Sequence, residues 1–296
     1  MHRADGDGCT ANDLTIRVVL VLYRMSPAQS PAFRALQELL AGDAAVAKTV
    51  RLTICDNTPG QVEDPVLPDA RYHHNPSNPG LARSYNLALQ HAKQAGDRWL
   101  LLLDQDTSPT PAYFAEALAR AQEFEDKADV VAIVPKLIEH GVVQSPHRER
   151  MSLHPAPLEP DFFGLCEEPL TIFNSGAVIR VSQLQKIGGF PEDFWLDFLD
   201  HATFHLLRRE GGRVFVMQAA LLHQVSSNVK PEDWDRTFTE RQKNLLAAEA
   251  KFYGLYGTGL QKRWYRIRLL RHAYGSLKHL HFPMLWQLMC TLVRVR

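Results

Sequence analysis

The sequence predicts an α/β protein built on a mostly parallel sheet flanked by helices, with a helical extension at its C-terminal end. Three observations predict this. Apolar, β-branched runs recur through the first two thirds of the chain, each ended by a polar turn. The segments between them carry helical spacing, so strand and helix alternate. Strand signals then stop, and from Pro231 onward only the helical pattern continues. The reading is therefore a sheet domain over residues 14–230 and a helical, basic extension over 231–296.

Ile16 to Tyr23, IRVVLVLY, reads as a parallel strand buried on both faces. Ser30 and Pro31 open a helix running through Leu40. Val50 to Cys55 is the second strand, closed by Asp56-Asn57-Thr58-Pro59-Gly60. Tyr72 marks a short third strand. Asn78-Pro79-Gly80 leads into a helix with Leu81, Tyr85, Ala88, Leu89 and Ala92 on one face. Trp99 to Leu103, WLLLL, is a strand that runs directly into Asp104-Gln105-Asp106. A helix over Pro111 to Phe124 and a strand over Val130 to Pro135 follow, and residues 141–169 read as one long polar loop. This is a Rossmann-like succession, and in such sheets ligands bind beyond the carboxyl ends of the strands. Asp56 and the Asp104/Asp106 pair both follow strands and should face one crevice.

Composition narrows the class. The chain has 296 residues, 45% of them hydrophobic and 22% charged, which suits one large globular domain with an appendage. Formal net charge is zero, so no nucleic-acid partner is expected. The charge is unevenly spread: nine Lys or Arg and no acid follow Glu249, leaving 24 bases against 33 acids before it. Cys9, Cys55, Cys166 and Cys290 lack CxxC spacing, which fits a reducing compartment. Met1 to Asp13 does not read as a signal peptide, and no run approaches the roughly 18 apolar residues of a membrane span. A cytoplasmic location is expected.

The carboxylates carry the chemistry. Asp104 and Asp106, two residues apart at the end of a buried strand, can converge on a divalent cation, Mg²⁺ or Mn²⁺. A hard cation with open positions suits a diphosphate. The competing reading is an ordinary surface turn, but carboxylates at the end of WLLLL are costly unless used. Asp56 and Asn57 can equally form an Asx turn before Pro59.

Four segments, in order, resemble family 2 glycosyltransferases of the A-type fold, nearest the bacterial rhamnosyltransferase-like branch. They are VVLVLY (18–23), ICDNTPG (54–60), NPSNPGLARSYNLAL (75–89) and LLLLDQDTSP (100–109). Downstream, IFNSGAVIRVSQLQKIGGFPEDFWLDFLDHATF (172–204) resembles the acceptor half, and ALLHQVSS (220–227) a strand ending in a metal-binding His. The resemblance implies a nucleoside-diphosphate sugar donor, leaning toward dTDP-rhamnose, and a saccharide or lipid-linked saccharide acceptor in cell-surface glycan synthesis. It implies that Asp56, Asn57, Asn86, Asp104 and Asn174 bind the nucleotide sugar, and that Asp106 and His223 hold the metal. Asp200 is the expected general base of an inverting displacement, with Asp197 as its rival. Two departures stand out: His201 follows Asp200 where relatives carry a further acid, and Tyr85 stands where many carry Arg.

Three other readings compete. A haloacid-dehalogenase-type phosphohydrolase also ends a strand in DxD, but normally on its first strand. A nucleotidyltransferase would carry a Gly-rich basic loop after the first strand, where this chain has YRMSPAQSP. A degenerate transferase fold that only binds is the third. The tail, residues 260–296, interleaves Lys and Arg with Trp, Tyr and Leu at helical spacing. It reads as a peripheral membrane contact, with a helical cap on the core or a homo-oligomer contact as alternatives.

Overall fold

The computed structural model describes residues 14–60, 70–150, 153, 155–222 and 240–294. The nucleotide-side half contains β1 (Ile16–Leu22), α1 (Pro31–Gly42), α2 (Ala44–Thr49), β2 (Val50–Asp56), β3 (Ala70–His74), α3 (Leu81–Ala95) and β4 (Trp99–Asp104). Its four strands are parallel, in the order β3-β2-β1-β4. The rest contains α4 (Pro111–Glu123), β5 (Val130–Glu139), β6 (Val142–Ser145), β7 (His147–Arg148), β8 (Ala156–Pro157), β9 (Gly164–Cys166) and β10 (Leu170–Thr171). It continues through β11 (Val178–Arg180), α5 (Val181–Lys186), α6 (Leu199–Arg209) and β12 (Arg213–Leu222). Here the sheet becomes mixed: β11 lies antiparallel between β4 and β5, and β12 runs parallel to β5.

The continuous apolar runs follow from coverage on both faces. Along β1, Val19 and Val21 enter one core with α3 and α6, while Val18, Leu20 and Leu22 enter the other with α1 and α4. On β4, Leu100 and Leu102 face the first core and Leu101 and Leu103 the second. One charged side chain on β1 is buried, and it is paired: Arg17 Nε donates to Asp97 at 2.7 Å, and Arg51 reaches the same carboxylate at 2.7 Å. Removing one member of such a pair would strand the other at a cost of about 3–5 kcal/mol. Arg180 on β11 stacks over Trp99, 4.2 Å from the ring centroid. It donates to carbonyls at the end of α4 and the turn beyond, including those of Phe124, Lys127 and Val130.

Residues 141–169 differ from the single loop expected. They contain β6 to β9, and β7 and β8 join β10 in a second, three-stranded sheet. Strands of two to four residues pair through backbone atoms alone, so they are too short to show a period of two in sequence.

After β12 come α7 (Glu240–Tyr256), α8 (Gly259–Lys278) and α9 (Phe282–Arg294). Thr258 and Gln261 cap α8 reciprocally, at 2.9 and 3.2 Å. These helices enclose a small core of their own, with Leu246, Tyr265, Leu269, Met284 and Leu288, while Phe252 and Tyr256 of α7 pack on the main core. The boundary expected at 230/231 falls outside the described residues. Among those described, no helix is long and apolar enough to cross a membrane.

Candidate active site

The strand registers bring the carboxylates to one edge. Leu22 pairs with Asp56 and Val21 with Asp104, so the two aspartates flank the end of β1. With two strand spacings between them, their backbones lie about 10 Å apart.

Asp56 is buried. Its Oδ1 accepts the Thr58 N–H at 2.9 Å and its Oδ2 the Tyr72 hydroxyl at 2.7 Å. The Asx turn is thus present, and it fixes the carboxylate at the crevice floor. Asn57 is buried against α3, where its amide bonds with the Ser84 hydroxyl at 3.0 Å.

The DQD turn is held by its middle residue. The Gln105 side chain accepts the Tyr23 N–H at 2.8 Å, and the Gln105 carbonyl accepts the Ser30 hydroxyl at 2.7 Å. The Thr107 and Ser175 hydroxyls bond at 2.7 Å in a buried contact. These ties let the turn present Asp106 on the exposed surface, with Asp104 half-buried behind it.

Asp200 lies in the first turn of α6, after Phe198 in a left-handed conformation (φ 62°). Its Oδ1 accepts the His201 backbone N–H at 2.8 Å and lies 2.7 Å from His201 Nδ1. Burial alone would lower the His201 pKa. The charge and hydrogen bond of Asp200, with the charges of Glu149 and Glu249, outweigh it and raise the value. Asp197 is held differently: its carboxylate pairs with Arg241 of α7 at 2.8 Å. Burial is the main cause raising its pKa, with Arg241 opposing.

One residue joins the two halves. Tyr85 on α3 is fully buried, and its hydroxyl makes no hydrogen bond of ordinary geometry. Its pKa is pushed well above that of an ordinary phenol by burial first, then by the nearby charges of Asp104 and Asp200. A hydrogen bond toward Asp104 adds to that rise, so the hydroxyl borders the end of β4, within range of the Asp200 charge. Asn174 adds a second unsatisfied buried atom, its Oδ1, in the turn bordering DQD. Unpaired polar groups in such a place are costly, and they are the groups a ligand would satisfy.

The structure thus gathers Asp56, Asp104, Asp106, Asn174 and Asp200 around the strand ends. It does not bring Asn86 there. The Asn86 amide clamps the backbone of Phe190, accepting its N–H at 2.8 Å and donating to its carbonyl at 2.9 Å. Gly189 (φ 90°) makes room for this, since a Cβ there would lie 2.6 Å from Asn86 Oδ1. Asn86 is adjacent to Tyr85 in sequence but lies about 100° further round the helix. The helical spacing puts Tyr85 on the buried face of α3 and gives it no role of its own. His223 lies outside the described residues.

The sequence model of glycosyl transferase family 2 matches residues 56–211, which includes Asp56, Asp104, Asp106, Asp197 and Asp200. The chain belongs to this family. It is a glycosyltransferase, and the phosphohydrolase reading falls. No curated protein matches the chain in sequence. Several solved structures resemble this family 2 transferase. Residues 1–349 of TarS from S. aureus are 14% identical, with a TM-score of 0.48, covering 86% of this chain and 79% of that one. A longer TarS chain is covered over 47% of its length. The mannosyltransferase PcManGT from Pyrobaculum calidifontis, in complex with GDP-Man and Mn²⁺, is 15% identical, with a TM-score of 0.49, covering 95% of this chain and 85% of that one. Likeness at this level says nothing about donor, metal or acceptor.

Among the described residues no three His, Cys, Asp or Glu side chains cluster to hold a metal. The donor set that is present fits a hard cation in part: Asp104 and Asp106 offer only carboxylate oxygens, one of them exposed at the turn.

Proposed function

We propose that the chain is a metal-dependent, inverting transferase that moves a sugar from a nucleoside diphosphate to a saccharide hydroxyl. One observation supports this above the rest: the strand registers set Asp56 and Asp104 on either side of the end of β1, with the exposed Asp106 of the same turn just beyond. Asp200, opening α6, is the acceptor-side carboxylate of this reading, and its charge reaches the same buried Tyr85 as that of Asp104. Asp56 and Asn57 border the nucleotide, with Asn174 beside the sugar. Asp106 and Asp104 would hold Mg²⁺ or Mn²⁺, with His223 as the third protein ligand. When bound, the cation would neutralise charge on the leaving diphosphate.

Asp200 takes the proton from the acceptor hydroxyl. The oxygen attacks the anomeric carbon as the bond to the diphosphate breaks, and the configuration inverts. His201 pins Oδ1, and Asp200 Oδ2 makes no hydrogen bond among the described residues, so it is the oxygen available to the acceptor. The resemblance to the rhamnosyltransferase-like branch puts dTDP-rhamnose first among donors to test. Calorimetry of nucleoside diphosphates with Mg²⁺ or Mn²⁺ tests the reading. Binding of at least one nucleotide is expected only with metal; indifference to every nucleotide would overturn it and favour a fold that merely binds glycan.

The acceptor reading rests on a pocket of about 380 Å³ between α6, α7 and α8. His201, the hydrogen-bond neighbour of Asp200, lines it. So do Arg208 and Arg209, which make no ion pair among the described residues, and the rings of Phe252 and Tyr256. Rings suit a sugar face, and guanidinium groups suit phosphate or carboxylate. An anionic saccharide, such as one carrying a phosphate linkage, fits this lining. Arg208→Gln combined with Arg209→Gln should raise acceptor KM about 10-fold or more, as loss of charged hydrogen bonds does, with donor affinity unchanged. An unmoved acceptor KM would remove the pocket from the mechanism.

A further inference from the structure

We infer that α8, α9 and the turn between them form a surface that docks on an anionic bilayer without crossing it. Each helix has two apolar faces. On α8, Tyr265, Leu269 and Ala273 turn inward, while Trp264, Leu270 and Tyr274 are exposed on the opposite side. On α9, Met284 and Leu288 are buried, while Phe282, Trp286 and Met289 are exposed. An inward face is enough to hold a helix on a protein. A second apolar face in water is a cost without a fold-level return, and large exposed patches of this kind mark interaction sites.

Exposure is high at the turn and on both helices beside it. Tyr274 is 73% exposed, Leu280 69%, Phe282 61% and Trp286 72%. Leu280 sits in a left-handed conformation (φ 56°), where Gly or Asn would be easier, and it presents an apolar tip there. Aromatic rings set beside aliphatic tips are suited to the headgroup boundary.

Charge decides between a bilayer and a second copy of the chain. From residue 250 to 296 there are nine Lys or Arg and no Asp or Glu. Arg263, Arg271 and Lys278 are exposed on α8 and make no ion pair among the described residues. A two-fold contact would set this basic surface against itself. Anionic lipid would be attracted to it. No helix here can span. The occupant is therefore a lipid surface rich in acidic headgroups. This inference stands whether or not the transferase reading is right in detail.

The test is co-sedimentation of the full chain with phosphatidylcholine vesicles, with and without phosphatidylglycerol. The chain should pellet with the acidic vesicles at low salt and be released as salt rises. Replacing Arg263, Arg271 and Lys278 by Gln should weaken partition by roughly fivefold per cation, roughly a hundredfold together. Leu280→Ser with Trp286→Ser should abolish binding at any salt, and Tyr274→Ser alone should weaken it. All these side chains are exposed, so circular dichroism and nucleotide binding should be unchanged. Failure to pellet with acidic vesicles at low salt overturns the inference. So does equal pelleting of the Leu280/Trp286 variant, or a stable dimer in lipid-free solution that this variant dissolves.

Discussion

Asp200→Asn is expected to lower turnover by about 10²–10⁴-fold while leaving nucleotide binding nearly intact, because only the transition state uses the base. The amide keeps the shape of the carboxylate and can still accept from the His201 N–H, so the helix start should survive. What is lost is an oxygen able to take the acceptor proton. Asp197 makes the contrast. It pairs with Arg241 and is nearly buried, so Asp197→Asn should show mainly as a lowered melting temperature. Parallel rate and melting measurements separate the two. If Asp197→Asn lost turnover at unchanged stability while Asp200→Asn kept it, the base would be Asp197.

The pair also indicates what the sequence could and could not reveal. Both acids fall in LDFLDHATF, and helical spacing alone makes them equivalent. The structure separates them by partner: Asp197 pairs with Arg241 of α7, and Asp200 bonds to His201. Arg241 is 44 residues beyond Asp197, and nothing in local pattern predicts that contact. The sheet was legible for the opposite reason. Runs such as IRVVLVL and WLLLLD are buried on both faces, so their burial is written directly into composition. The strand-end position of Asp56 and Asp104 followed from the same runs. The short strands of 142–166 did not, because they are held by backbone pairing, with β5, with each other and with β12, which leaves no side-chain period. Asn86 and Tyr85 show the same limit at one helix. A motif identifies two neighbouring residues, but helix rotation decides which of them reaches the site.

The other large effect concerns the exposed carboxylate of DQD. Asp106→Ala should remove metal-dependent nucleoside diphosphate binding. Even groups that only support a metal ligand are worth about 10–100-fold in metal affinity, so loss of a charged direct ligand should cost at least about 100-fold. The turn itself should persist, since Gln105, Ser30 and Thr107 hold it through atoms that do not involve the Asp106 side chain. Asp106→Asn retains an oxygen donor without the charge, so intermediate affinity and a weaker response to added Mn²⁺ are expected. Asp56→Asn is the control. It lies across β1, beyond reach of the same cation, so it should change which base binds while metal dependence stays. The measurement is calorimetric titration of each variant with one nucleoside diphosphate, in Mn²⁺ and again in chelator. If the wild-type chain binds equally well in chelator, no cation bridges protein and diphosphate. The carboxylates of DQD would then act on the donor directly, through hydrogen bonds to ribose hydroxyls, and Asp106→Ala would weaken binding by the same factor in both conditions.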